Sequence, residues 1–341
     1  NFIFSMSLLL GTTITISSNH WMMAWAGLEI NTLAILPLIS KSHHPPSIEA
    51  STKYFLTQAT ASTLLLFSSM TNAGFTGQWD ITQLTHPMSC MLLTAAISMK
   101  LGLVPFHFWF PEVLQGSSLM TSLLLATIMK FPPTTLLFLT SPSLNPTILS
   151  MMAIASAALG GWMGVNQTQI RKVLAFSSIS HLGWMASILI YNPKLTLITF
   201  YLYSLTTAAI FFALNSTNTL KLTTLMTAWS KIPTLTATLM LTLLSLAGLP
   251  PLTGFLPKWL IIQELTKQEL TTVATILALL SLLGLFFDLR LAYCATITIS
   301  PNPTNHMKQW QVSKTTNMFT STLAMLSITL LPLAPTILTM P

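Results

Sequence analysis

Four ionisable side chains fall inside apolar stretches: Glu29 in WAGLEINTLAILP, Lys100 in SMKLGLVPFHFWFPEVLQG, Lys130 in TSLLLATIMKFPP and Lys258 in LAGLPPLTGFLPKWL. A lysine near the centre of a bilayer costs about 2.5 to 3.5 kcal/mol on insertion scales, so an ionisable group there is a functional candidate by default. An acid and an amine in low dielectric can hold one proton on either partner, and a change in local charge or hydration then moves it. That is the chemistry of a proton relay. Amines suit it because burial can strip their charge, whereas a guanidinium stays charged. None of the three buried cations is arginine.

Each candidate has a blander alternative. Lys130 and Lys258 carry four-carbon stems that can snorkel to an interface, and Lys258 follows Pro257 in what also fits a short re-entrant loop. Glu29 also fits one half of a structural ion pair. Lys100, deep in its segment, is hardest to explain away. His107 in PFHFWFP and His181 in FSSISHLGW are second-rank candidates, because a lone histidine in a helix bundle is more often a hydrogen-bonded packing residue. Their closeness in sequence to Lys100 and to Ser177, Ser178 and Ser180 allows a water-linked path. Glu112, Asp288 and Arg290 lie near the ends of their segments and read as interfacial or surface-paired.

The elements that must hold these groups are membrane helices. The chain is 52% hydrophobic and 6% charged, with a mean hydropathy of +0.69, where soluble domains carry about 25% charged residues. Apolar runs of about 20 residues recur from end to end and no polar block is long enough for an extramembrane domain. The sequence therefore predicts an all-α, polytopic transmembrane helix bundle forming one domain over 1–341. Eleven spans are expected, near 2–18, 21–39, 51–70, 87–115, 118–140, 146–165, 172–191, 195–216, 232–264, 271–298 and 316–338. The first runs almost directly into the second, the pattern of a spanning helix and not of a cleaved leader. Connections are short and rich in turn formers, and only the loop from Thr71 to His86 is long.

Two spans, 87–115 and 232–264, exceed the length needed to cross hydrocarbon and contain internal proline, so both are read as broken helices. In the first, Pro105 is taken as the breaking residue, five positions after Lys100. Paired broken segments in corresponding halves point to a site at a repeat interface, here a probable inverted repeat argued from architecture alone. Alternate threading puts nine basic residues on one side (Lys41, Lys53, Arg171, Lys172, Lys221, Lys231, Arg290, Lys308, Lys314) and only Lys194 and Lys267 on the other. That asymmetry is what the positive-inside rule expects, and it makes the net charge of +7 a report of topology before it reports any acidic partner.

Other chemistries lack their signatures. There is no GxGxxG or GxxxxGK[ST] loop, no cysteine cluster, and no credible pair of haem histidines. Cys90 and Cys294 show no ligand spacing, so neither a disulfide nor a metal site is supported. The chain is expected to carry no cofactor and to bind no nucleic acid.

At these residues the sequence resembles the antiporter-like membrane subunits of respiratory complex I. The resemblance covers essentially the whole chain and rests on GLEINTLAILP (27–37), KLGLVPFHFWFPEVLQG (100–116), KFPP (130–133), SSISHLGW (177–184) and AGLPPLTGFLPKW (247–259). Animal members resemble bacterial ones that have lost N-terminal spans, in accord with eleven; by the same likeness Asn1 stands a few residues inside the family's start. The resemblance implies that Glu29 and Lys100 form the pair of the first half, that Lys130 bridges, and that Lys258 ends the half-channel. It also implies the mitochondrial inner membrane, other complex I subunits including antiporter-like neighbours as partners, and membrane lipids around them. NADH, FMN, iron–sulfur clusters and ubiquinone are then expected on other subunits, with proton translocation driven from a distance. Two rival readings remain: a free-standing cation/proton antiporter, and a structural subunit whose buried charges only specify assembly.

Overall fold

Among the described residues five helices open on a proline, at Pro45, Pro87, Pro146, Pro193 and Pro233. Proline is favoured there because its missing N–H is among the donors a first turn leaves unused. In the computed structural model, which describes residues 2–229, 232–297 and 318–333, all regular elements are helical. Among those residues the extended pairing amounts to two isolated bridges, His20 with Asp80 and Gln169 with Lys221.

The α-helices, in order, are α1 (Phe2–Ser17), α2 (Trp21–Ile39), α3 (Pro45–Thr76), α4 (Pro87–Leu101), α5 (Trp109–Gly116), α6 (Leu119–Ala126), α7 (Phe131–Thr140), α8 (Pro146–Val165), α9 (Ile170–Ile188), α10 (Pro193–Thr217), α11 (Leu222–Met226), α12 (Pro233–Ala247), α13 (Phe255–Lys267), α14 (Thr271–Thr296) and α15 (Met318–Thr329). Among the described residues five stretches are long and apolar enough to cross a membrane: α2, the run Leu119–Ser143 that contains α6 and α7, α8, α10 and α14. Four shorter apolar helices, α1, α4, α12 and α15, accompany them. The last expected span is described only over Met318–Leu333, and Lys231, Lys308 and Lys314 lie outside the described residues.

The many hydroxyl residues are accommodated locally. Thr15, Ser68, Ser156, Thr242 and Ser245 each donate to the carbonyl three residues back in their own helix. A buried hydroxyl is thereby satisfied without a partner helix or water.

The chain divides into two compact units. The first holds residues up to Ser156 with Met185–Thr196, and the second Ala157–Trp184 with the residues from Leu197 onward. In the first unit α3 is longer than its expected span. Its 32 residues correspond to about 48 Å of helix, against about 30 Å of hydrocarbon, so hydropathy saw only its middle. The expected loop from Thr71 is accordingly helical to Thr76, and Gly77, at φ 72°, ends it. The shortened connection is pinned to the turn between α1 and α2. Trp21 donates its N–H to the Trp79 carbonyl (3.2 Å), Ile81 donates to Asn19 (3.1 Å), and His20 stacks on Trp79 at 5.5 Å.

Candidate functional site

Both broken segments are broken, and each break is built by glycine. In the first unit α4 stops at Leu101 because Gly102 takes a left-handed φ of 76°. The N–H groups of Gly102 and Leu103 then both donate to the Ser98 carbonyl, at 2.9 and 3.0 Å. The helix thus ends four residues before Pro105, which was expected to break it; the left-handed glycine closes the ladder before the missing proline donor is felt. Trp109, opening α5, donates its indole N–H to the Met99 carbonyl at 3.1 Å and ties the two half-helices together.

Lys100 lies in the last turn of α4, only 6% exposed. The partial negative charge of a helix C-terminus favours a cation there. Among the described residues its Nζ and the Oε2 of Glu29 have no hydrogen-bond partner, yet the charge of Glu29 acts on both Lys100 and Tyr54.

Lys130 sits in a 3-10 turn, Ile128–Lys130, between α6 and α7. An unbroken span was expected here; the helix is interrupted at Thr127, with φ −114° and ψ −75°. The cause lies in FPP. Pro132 and Pro133 cannot donate, and they are tolerated only in a fresh first turn, that of α7. Lys130 is 2% exposed, with Nζ 4.3 Å from the centroid of the Phe110 ring, a cation–π distance. Lys100, Lys130, Asn31, Tyr54, Gln58 and Trp109 line a shared cavity of about 20 Å³, room for roughly one water. Two of the sequence-predicted amines thus line one small, mostly apolar cavity beside the break.

In the second unit α12 ends at Ala247, again on a left-handed glycine, Gly248 at φ 82°. Lys258, in the first turns of α13, reaches back to donate its Nζ to the Ala247 carbonyl at 2.7 Å. It lies within a helix, and its Nζ satisfies a carbonyl that the helix end leaves open. Gly254 permits this closeness: a Cβ there would collide with the Ser245 carbonyl oxygen. The Thr253 hydroxyl anchors the break to α15 through the Ser327 carbonyl.

Asp288 was misjudged from sequence. It is 2% exposed on α14, not interfacial, and its charge and that of Lys258 act on each other. The signal lay in spacing: Asp288 shares a stripe with the buried Leu291, Ala292 and Ala295, whereas Arg290 points to an exposed face.

The histidines are less decisively placed. His107 is buried in the first break with its ring 4.2 Å from that of Phe108. His181, in the second unit, packs 5.4 Å from the Tyr203 ring. The hydroxyls of Ser177, Ser178 and Ser180 donate to Leu174, Ala175 and Ser177 of their own helix. Cys90 is a free thiol, and among the described residues no group of three or more His, Cys, Asp or Glu is placed to hold a metal.

The comparisons with known proteins match this architecture. The family described as NADH:quinone oxidoreductase/Mrp antiporter, TM, matches residues 18–284, and that described as NADH dehydrogenase subunit 2 C-terminus matches 285–338. The NADH-ubiquinone oxidoreductase chain 2 of Struthio camelus is 75% identical over 332 residues, 97% of this chain and 96% of that one. The chain belongs to the NADH-ubiquinone oxidoreductase chain 2 family. Another member, from Coturnix japonica, is 69% identical over 98% of this chain and 97% of its own. Respiratory complex I from Thermus thermophilus contains a similar chain, with a TM-score of 0.84 and 25% identity over 97% of this chain and 79% of that one. A chain of the Mrp complex from a Dietzia species shares the fold alone, with a TM-score of 0.78 and 17% identity over 88% of this chain and 61% of that one. Asp288 lies beyond the antiporter-type match, in the part shared with chain 2 C-termini.

Proposed function

We propose how this chain, by family a multi-pass membrane subunit of mitochondrial NADH:ubiquinone oxidoreductase, moves protons across the inner membrane. Glu29 governs the charge on Lys100, Lys100 exchanges a proton with Lys130, and charge then passes toward Lys258 in the second unit. One observation carries the reading: Lys100 and Lys130, on different elements, line one small cavity beside a helix break. Glu29 acts on the same amine. A cavity with room for about one water supplies a path by which a proton passes between Lys100 and Lys130. His107 and His181 serve as second-rank members, one beside each unit's helix interruption or core.

The chain works as one antiporter-like domain of eleven crossings. In this reading α4 with α5, and α12 with α13, are each one broken crossing. The parallel supports an inverted repeat: α4 and α12 are both 15 residues long, open on proline and stop on a left-handed glycine. NADH oxidation and ubiquinone reduction, with FMN and the iron–sulfur clusters, belong to other subunits, and this chain holds no cofactor. Its partners are neighbouring complex I subunits, antiporter-like ones among them, and membrane lipids.

The test is Lys100→Met in the assembled complex. The expected result is a lower number of protons moved per NADH oxidised, with the complex still present on a native gel. An unchanged ratio would remove Lys100 from the relay.

A further inference from the structure

We propose that Asp288 is the charge partner of Lys258, so that the second unit carries its own acid–amine pair as the first carries Glu29 and Lys100. The inference rests on the reading of Lys258 as a relay residue. Asp288 is buried at 2% exposure, and its Oδ1 has no hydrogen-bond partner among the described residues. A carboxylate in that state is costly unless a cation compensates it.

Among the described residues, the helices packed most closely on α14 offer few cations. Helix α12 packs on α14 and contains no ionisable residue. Helix α11, also against α14, contains none. Helix α13 contributes Lys258, Glu264 and Lys267, of which the last two pair with each other at 3.3 Å toward the surface. On α14 itself Arg290 is exposed, and its guanidinium donates to the Val165 carbonyl at 2.7 Å. Of the cations on these described helices Lys258 remains, and its charge and that of Asp288 act on each other.

The two do not form a direct ion pair among the described residues, because the Lys258 ammonium donates to the Ala247 carbonyl. That separation gives the pair two arrangements with the same net charge. In one, ammonium faces carboxylate. In the other, the N–H bond of the ammonium has broken, an O–H bond has formed on Asp288, and a neutral amine faces a neutral acid. A charge arriving from the relay selects between them. The long, rotatable lysine stem lets Nζ leave the carbonyl for the carboxylate.

The experiment compares Lys258→Met, Asp288→Asn, Asp288→Glu and the Lys258→Met/Asp288→Asn double variant in the assembled complex, reading protons moved per NADH oxidised and the amount of complex on native gels. Asp288→Asn is expected to lower the ratio as far as Lys258→Met does, the double variant no further, and Asp288→Glu to restore it. If Lys258→Met lowers the ratio and Asp288→Asn leaves it intact, the charge-partner inference is overturned while the relay stands. An intact ratio in Lys258→Met overturns the relay role of Lys258 and this inference with it. Should Asp288→Asn fail to accumulate, the pair predicts that the double variant accumulates as Lys258→Met does, since it buries no uncompensated ammonium. A double variant that also fails where Lys258→Met alone accumulates overturns it.

Discussion

The two breaks solve one problem in opposite ways. Each must satisfy carbonyls left open where a helix stops inside an apolar setting, and each stops on a left-handed glycine. In the first, the indole of Trp109 takes the Met99 carbonyl, which leaves Lys100 without a hydrogen-bond partner among the described residues. In the second, Lys258 itself takes the Ala247 carbonyl. The first break therefore frees its amine for other work, while the second ties its amine into the structure. The difference teaches that two lysines with the same sequence signature, a cation beside a broken helix, need not answer mutation alike.

The sharpest way to break the comparison is steric. In the second break a Cβ on Gly254 would overlap the Ser245 backbone carbonyl, whereas a Cβ on Gly102 meets nothing nearer than 3.5 Å. Backbone cannot swing aside as a side chain does, so Gly254→Ala is expected to cost about 3 kcal/mol or more, at the upper end of overpacking effects. Gly102→Ala costs only its left-handed conformation, about 1 to 2 kcal/mol. Native-gel abundance of the complex should fall steeply for the first and mildly for the second. Equal losses would mean that the breaks share one constraint.

The next effect separates the amines. Lys258→Met leaves the Ala247 carbonyl unpaired, at a cost of about 1 to 3 kcal/mol, and so should lower the inactivation temperature of the complex as well as its pumping. Lys100→Met removes a buried amine that has no hydrogen bond to lose, and should lower pumping with the inactivation temperature held or raised. Thermal inactivation of both variants in membranes checks this. A matching drop in temperature for the two would sink the claim that only one is structural.

Much of this was legible in the sequence. Length and internal proline disclosed both breaks, and residue type disclosed Lys100, Lys130 and Lys258, because charge in apolar sequence is rare enough to speak alone. Three features did not show. The true stop at Gly102 was masked by Pro105, the louder of two breakers three residues apart. The interruption at Thr127 was hidden by its apolar neighbours, although FPP carried the cue. Asp288 was missed because distance from a segment's end says nothing about which face of the helix a residue occupies. Facing is a property of the 3.6-residue period, and only the small residues at Ala292 and Ala295 hinted that this face was buried.

The smallest effect isolates the tie in the first break. Trp109→Phe keeps an aromatic ring against Tyr54 and Phe110, now 5.6 and 5.4 Å from the indole, and deletes only the donor to the Met99 carbonyl. The loss should be about 1 kcal/mol, visible as a modest fall in inactivation temperature. Protons moved per NADH should change little, since Phe keeps an aromatic wall on the cavity that Lys100 and Lys130 line. If the ratio falls instead, the geometry of the half-helices sets where Lys100 can pass its proton. The first break would then be as structural as the second, and the two amines would differ in degree rather than in kind.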